Sequence, residues 1–162
     1  MTVWDENGTE SGAGDIAEFE VALQNNSEWN AQWIHFDGNN DSHSAPCPYF
    51  RKEFECGKEI AKARLYVTAR GLFEARINGR RVGSDYFVPG WTDFSKQIQY
   101  MSYDVTDMLN AGSANTIGAI IGDGWYCGYL SGRRRNIYGR HPELLARLEI
   151  TYADGESDVI VT

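Results

Sequence analysis

One stretch decides the fold class of this sequence, Leu72-Phe73-Glu74-Ala75-Arg76-Ile77-Asn78-Gly79-Arg80-Arg81-Val82. Apolar and polar residues alternate before Asn78-Gly79, which is the pattern of a half-buried β-strand. Asn and Gly both accept the positive φ angles that a two-residue type I′ turn requires. The stretch therefore predicts a β-hairpin that turns at Asn78-Gly79.

Short strands are also predicted along most of the remaining chain. Asp154-Gly155 marks a second hairpin near the carboxyl end. Helical patterns are confined to 59–63 and to a turn at 106–110, where we expect Asp104 to end a strand and cap the turn. Many short strands separated by turn residues predict an all-β, antiparallel β-sandwich. The further strand segments are 64–69, 97–103, 115–121, 143–152 and 157–161.

Composition excludes several classes of function. The chain has 162 residues, a net charge of −8 and a pI near 4.8, which argues against a surface that binds nucleic-acid phosphates. No apolar run approaches the roughly 20 residues of a membrane span, and the amino terminus lacks a signal-peptide pattern. The three cysteines and three histidines are too scattered to predict a disulfide framework or a metal cluster. Unpaired cysteines favour a cytoplasmic location.

The first 28 residues differ in composition from the rest of the chain. They are acidic and rich in Gly, Asn and Ser, and their apolar patterns are brief, at Val3-Trp4 and 19–23. Such a segment cannot form a core by itself. We therefore expect two units, a remnant of a preceding domain with its linker at 1–28 and the sandwich domain at 29–162.

Six further stretches carry a family resemblance, and they are Trp29-Asn30-Ala31-Gln32-Trp33-Ile34, 63–71, 77–83, Pro89-Gly90-Trp91-Thr92-Asp93-Phe94, 99–106 and 122–128. In this order and spacing they resemble the amino-terminal region of bacterial α-L-rhamnosidases of glycoside hydrolase family 78. The resemblance implies a jelly-roll, galactose-binding-like sandwich at 29–162, with further strands expected after Val161-Thr162. It also implies that 1–28 contains the last strands of a fibronectin-type domain.

The resemblance places catalysis outside this chain. The family's catalytic (α/α)₆ barrel and its Asp-Cys-Pro-x-Arg-x-Glu-Arg run lie beyond position 162, and Ala45-Pro46-Cys47-Pro48 is not that motif. We therefore expect no catalytic residue here and no hydrolysis by this chain alone. The implied partners are L-rhamnose or rhamnose-containing glycans and the remaining domains of the parent enzyme, and some members of the family bind rhamnose with the help of calcium.

The candidate carbohydrate site lies in the segment 122–138, which mixes glycines, aromatic residues and arginines as functional loops do. Sugar sites combine flat aromatic faces with a few polar anchors. The candidate residues are Trp91, Asp123, Trp125, Tyr126, Arg134 and Asn136, of which Asp123 and Asn136 are also the candidate oxygen ligands for calcium. No cofactor is required for this interpretation. Alternatively, Trp125 and Tyr126 plug the end of the sandwich, and the domain is a purely structural spacer.

Overall fold

The computed structural model describes residues 2–15, 19–38, 46–130 and 134–162. Within them the regular secondary structure is almost entirely β-strand, with one short helix, α1 (Gly124–Cys127), and 3₁₀ turns at Asn26–Glu28 and Thr106–Met108. The strands are β1 (Tyr49–Cys56), β2 (Ile60–Arg70), β3 (Leu72–Ile77), β4 (Arg80–Arg81), β5 (Met101–Asp104), β6 (Ser113–Gly122), β7 (Glu143–Tyr152) and β8 (Ser157–Val161).

The described strands make two four-stranded antiparallel sheets. One sheet has the order β1-β6-β3-β4 and the other has the order β5-β2-β7-β8. Apolar side chains at alternate positions of both sheets form a common core, in which Leu65, Ile77, Ile121, Leu148 and Ile150 are fully buried. Burying each such side chain contributes about 1.5–3 kcal/mol. The predicted all-β antiparallel sandwich is confirmed.

The hairpin predicted at Asn78-Gly79 is also confirmed. The φ angles of Asn78 and Gly79 are 51° and 79°, and Ile77 of β3 pairs directly with Arg80 of β4. The Asn78 side chain extends the turn into a network, because its Nδ2 donates to Met108 O at 2.9 Å and its Oδ1 accepts the Thr116 backbone N–H at 2.9 Å. Gly155, with φ 87°, lies in the second predicted turn, between β7 and β8.

Two sequence-based expectations about secondary structure are corrected. The prediction of helical structure at 59–63 is wrong, because β2 begins at Ile60 and Ala63 pairs with Ile150 of β7. Sheet pairing and complete burial of Ala63 override the local propensity. Strand β1 was not predicted, and β5 begins at Met101 rather than at 97.

The expected role of Asp104 is confirmed, since its Oδ1 accepts hydrogen bonds from the backbone N–H and the hydroxyl of Thr106.

Residues 20–29 lie against the outer face of the second sheet. Glu20 forms ion pairs with Lys62 and Arg64 of β2, and Leu23 O accepts the Tyr100 hydroxyl at 2.6 Å. Trp29 is buried in a small cluster with two side chains of this sheet, Tyr66 and Leu145. The division of the chain at residue 28 stays a prediction.

Two further expectations concern membranes and cysteines. Across the described ranges, no helix has the length and apolar character needed to cross a bilayer. All three cysteines are free thiols, with Cys47 exposed and Cys56 and Cys127 buried. Burial raises the pKa of both buried thiols, so neither is a reactive thiolate at neutral pH.

Candidate functional site

The segment 122–138 lies at the end of the sandwich where β6 ends and β7 begins, and its described residues are 122–130 and 134–138. Two glycines allow it to pack tightly. A Cβ on Gly124 would lie 2.8 Å from Leu72 Cγ, and a Cβ on Gly128 would lie 2.2 Å from Gly124 O. A larger residue at either position would force its neighbours to move, because Gly124 packs against Leu72 of β3 and Gly128 packs against the start of α1.

Asp123 is held by an arginine that the sequence did not single out. Its Oδ2 pairs with Arg135 Nη2, while Arg135 Nε donates to Cys127 O at 3.4 Å. Cys127 Sγ lies 3.4 Å from the other carboxylate oxygen of Asp123. Arg135 also lies over the Tyr129 ring, 5.7 Å from its centroid. The result is a half-buried charged cluster built around Cys127.

The two other polar candidates border this cluster. Asn136 has a φ of 60°, its backbone N–H donates to Cys127 O at 3.1 Å, and the residue is exposed. Arg134 is exposed as well, and its carbonyl accepts the Leu130 N–H at 2.9 Å. The structure therefore brings Asp123 and Asn136 together around Cys127, whereas the arginine that contacts Asp123 is Arg135 rather than Arg134.

The aromatic candidates divide into buried and accessible groups. Tyr126 is buried and packs edge-on against Phe94, with ring centroids 5.4 Å apart, and stacks on Tyr138 at 6.4 Å. Trp125 is half-buried, and Trp91 is 56% exposed. Tyr126 thus anchors the segment as the plug interpretation expects, while Trp91 and part of Trp125 offer accessible ring surface.

A second charged pair acts on Tyr126, and the sequence did not predict it. Arg70 at the end of β2 pairs with Glu143 at the start of β7, with Nη1 and Oε2 2.6 Å apart. The Arg70 guanidinium also lies over Trp33, 4.5 Å from the ring centroid. Burial raises the pKa of the Tyr126 hydroxyl, and the charges of Arg70 and Glu143 act on it in opposite directions. The pairing register of β2 and β7 is the signal that would have placed Arg70 beside Glu143.

Two of the three histidines also meet near this end of the sandwich. The rings of His35 and His141 stack with centroids 5.6 Å apart, and His35 Nε2 lies 2.8 Å from Asp37 Oδ1. The contact follows from the bridge between Ile34 and Leu144, which brings the two segments together. His43 lies outside the described residues.

The surroundings of Asp123 bear directly on calcium. Calcium takes six to eight oxygen ligands, whereas a guanidinium already pairs with the Asp123 carboxylate. Among the described residues, no group of three or more His, Cys, Asp and Glu side chains is arranged to hold a metal ion. The residues in this arrangement do not fit a calcium ion unless Arg135 moves away, and the calcium ligands stay a prediction.

The candidate site is separate from the apolar cavity inside the sandwich. A cavity of about 270 Å³ lies elsewhere, between the two sheets, and its lining is mostly apolar, including Ile34, Phe50, Leu144 and Ile160. Sugar sites need convergent polar groups beside aromatic faces. We therefore assign the candidate site to the segment 122–138 and not to this cavity.

Comparisons with known proteins identify the relatives of this chain. The family model of the α-L-rhamnosidase N-terminal domain matches residues 58–162. An α-L-rhamnosidase of an Alteromonas species is 38% identical over 98% of the chain, and the chain spans 18% of the length of that relative.

Two solved structures have the same fold and comparable identity. The α-L-rhamnosidase of Aspergillus terreus superposes with a TM-score of 0.89 at 37% identity, covering 99% of this chain and 19% of that protein. The α-L-rhamnosidase of Streptomyces avermitilis, solved in complex with L-rhamnose, has a TM-score of 0.70 at 47% identity, covering 72% of this chain and 11% of that protein.

Proposed function

Because the chain belongs to the α-L-rhamnosidase N-terminal domain family, we propose that it is a non-catalytic module that binds carbohydrate within a longer α-L-rhamnosidase. The observation that carries this proposal is the combination, on one rigidly held segment, of accessible aromatic surface with a charged cluster. Trp125 is half-buried on α1, which follows directly after Asp123, and the Cys127 carbonyl at the end of α1 accepts the Asn136 backbone N–H. Flat rings beside a few polar groups are what a pyranose ring requires.

Each candidate residue has a distinct role in this proposal. Trp91 and Trp125 provide ring faces for the apolar side of the sugar, while the buried Tyr126 packs against Phe94 and holds the segment in place. Asp123 accepts hydrogen bonds from sugar hydroxyls, and Arg134 and Asn136 extend the polar rim. A monosaccharide makes few contacts and competes with water for each of them, so we expect an affinity on the order of millimolar. The ligand proposed here is L-rhamnose.

The acidic residues at this end do not suit glycoside hydrolysis. That reaction requires a protonated general acid beside a second carboxylate. Hydrogen bonds from Ser95, together with Lys96, lower the pKa of Asp93, which favours the ionised form. Asp123 and Glu143 are both held in ion pairs with arginines. We therefore propose that hydrolysis of rhamnosides takes place in another part of the parent enzyme.

A structural spacer is the second candidate function, and the packing of Tyr126 favours it. Phe94, Tyr126 and Tyr138 pack against one another, and a Cβ on Gly139 would lie 2.3 Å from the Tyr126 ring. Such packing closes the end of the sandwich without any ligand. The two functions differ in whether accessible residues such as Trp91 and Trp125 take part in binding.

Titration calorimetry with L-rhamnose tests the proposal on the wild-type chain and on Trp91→Ala, Trp125→Ala and Asp123→Ala. We expect saturable binding that weakens at least about tenfold in Trp125→Ala, which corresponds to 1.4 kcal/mol. Trp4→Ala is the matched control, because Trp4 is 63% exposed in the amino-terminal segment. Repeating each titration with calcium and with a chelator tests the metal. If rhamnose does not saturate the wild type, or binds all variants equally, the spacer function replaces this proposal.

A further inference from the structure

The loop between β4 and β5 displays aromatic side chains that the proposed rhamnose site leaves largely unused. Tyr86 is 75% exposed, Phe87 is 70% exposed and Trp91 is 56% exposed. Leaving three large rings in water within six residues forgoes the stabilisation that burial would provide. Several large exposed rings this close in sequence are typical of a surface that binds a ligand.

Residues between the exposed rings anchor the loop to the body of the sandwich. Val88 packs against the core, and its carbonyl accepts the Phe73 N–H of β3 at 3.0 Å. Pro89 is buried, and the Gly90 N–H donates to Phe87 O at 2.9 Å to close a tight turn. The anchor residues thus lie between Phe87 and Trp91 and hold both at the surface. A preorganised surface loses little entropy when a ligand binds.

Phe87 has a backbone conformation that its side chain disfavours. Its φ angle is 58°, in the left-handed region where a bulky residue is an outlier. Such strain persists only where the surrounding structure enforces it, and it concentrates at sites that bind ligands. The backbone conformation of Phe87 thus indicates a binding role for this residue independently of its exposure.

Tyr86 is held in place by a cation on one face of its ring. The Arg81 guanidinium lies 4.2 Å from the ring centroid, and Arg81 Nε lies 3.3 Å from Glu74 Oε2. Arg81 also donates to the carbonyl of Asp85. Because Tyr86 remains 75% exposed, the rest of the ring is available for stacking.

Polar groups are interleaved with these rings, which distinguishes the surface from the core of a protein interface. Asp85 accepts the Tyr103 hydroxyl at 3.1 Å, and the side chain of Asp93 is 43% exposed. Cores of protein interfaces are depleted of charged residues, whereas sugar sites place polar groups beside aromatic faces. The arrangement therefore favours a glycan over a protein partner.

We propose that Tyr86, Phe87 and Trp91 form an aromatic platform that binds the sugar rings adjoining rhamnose in a rhamnose-containing oligosaccharide. The inference rests on the proposed function, because Trp91 belongs to both surfaces. It extends that function from one sugar to a chain of sugars, in which each exposed ring stacks on the apolar face of a pyranose. The ligand class is accordingly a rhamnan-type glycan rather than a single terminal rhamnose.

Calorimetry with L-rhamnose and with a neutral α-linked rhamnose tetrasaccharide tests the platform. We expect the wild type to bind the tetrasaccharide about tenfold more tightly than the monosaccharide, because more contacts form at one preorganised surface. Phe87→Gly removes the ring while keeping a residue that tolerates positive φ, and Tyr86→Ala removes the second ring. Both variants should lose most of the tetrasaccharide advantage and leave the affinity for L-rhamnose unchanged. Phe19→Ala, which removes a ring of the amino-terminal segment that is 89% exposed, should retain the advantage.

The outcomes separate the platform from the proposed function. If the wild type binds both sugars equally, or if Phe87→Gly and Tyr86→Ala retain the full advantage, the platform is wrong while rhamnose binding stands. If L-rhamnose does not bind but the tetrasaccharide binds in a Phe87-dependent way, the platform stands and the monosaccharide site is wrong. A third outcome concerns a protein partner. If Phe87→Gly and Tyr86→Ala bind the tetrasaccharide as tightly as the wild type but associate more weakly with another domain of the parent enzyme, the surface binds a protein and the platform is wrong.

Discussion

The two ends of the sandwich place the same residue type, asparagine, in opposite environments. At the hairpin end, Asn78 and Asn115 form an amide network, in which Asn115 is 1% exposed and bonds to Asn78, Asn110 and Ser113. At the loop end, Asn136 is exposed beside the ion pair of Asp123 and Arg135. The difference separates a polar group that holds the fold from one that is available to a ligand.

The physical basis of that difference is hydrogen-bond satisfaction. Each amide atom of Asn115 has protein partners, so the network is rigid and its loss leaves several buried groups unpaired. Asn136 reaches solvent, where water replaces any lost partner. We therefore expect the Asn115 amide at the hairpin end to contribute to stability and the Asn136 amide at the loop end to contribute to binding.

The largest expected effect is at Asn115. Asn115→Ala leaves the Asn110 N–H, the Asn110 carbonyl and the Asn78 amide without their partner, which should lower the free energy of unfolding by about 3 kcal/mol. Urea denaturation measures this loss. Asn136→Gly is the matched control, because glycine keeps the positive φ, and it should change stability by less than about 0.5 kcal/mol. Equal losses in the two variants would remove the distinction between the ends.

A smaller effect is expected from tight packing at the loop end. Gly128 has a φ of −76°, which alanine also adopts, so Gly128→Ala tests the packing of a Cβ against Gly124 O, 2.2 Å away, and Asp123 Cβ, 3.3 Å away. We expect a loss of about 1–3 kcal/mol together with weaker rhamnose binding, because α1 must shift. Thermal unfolding and calorimetry measure the two effects.

Gly57→Ala is the control for that substitution, since a Cβ at Gly57 meets nothing within 4 Å. It should leave stability unchanged or raise it by about 0.4–1 kcal/mol, because alanine restricts the unfolded chain. If Gly128→Ala behaves like Gly57→Ala, the loop end is not fixed by this contact.

Local chemistry made the hairpin end predictable from the sequence. Asn78-Gly79 specifies its own turn, and the flanking alternation specifies the strands. Strand β1 was missed because Arg51, Lys52 and Glu53 interrupt its alternation, as charged residues do on the edge strand of a sheet. The short pattern at 59–63 misled because pairing with β7 determines the conformation there.

The loop end was predictable only in part, because its contacts join distant segments. The sequence pointed to 122–138, yet it could not distinguish Arg134 from Arg135 as the partner of Asp123. The cluster of Phe94, Tyr126 and Tyr138 requires two loops to meet. Side-chain geometry of this kind depends on the assembled sheets rather than on local propensity.

The smallest expected effect concerns the carboxylate that supports the hairpin end. Hydrogen bonds from the hydroxyl and the backbone N–H of Thr106 lower the pKa of Asp104 below its usual value of 3.8. The unfolded chain therefore takes up this proton first as the pH falls, so the contribution of Asp104 is fully present above about pH 5 and is lost progressively below pH 4. Asp104→Asn should lower the free energy of unfolding at pH 7 by less than about 1 kcal/mol, because the side chain is largely exposed. Urea denaturation from pH 7 to pH 2 should show the wild type and the variant converging in acid. A difference that stays constant over this range would show that the charge of Asp104 does not support the turn that carries Met108, the partner of Asn78.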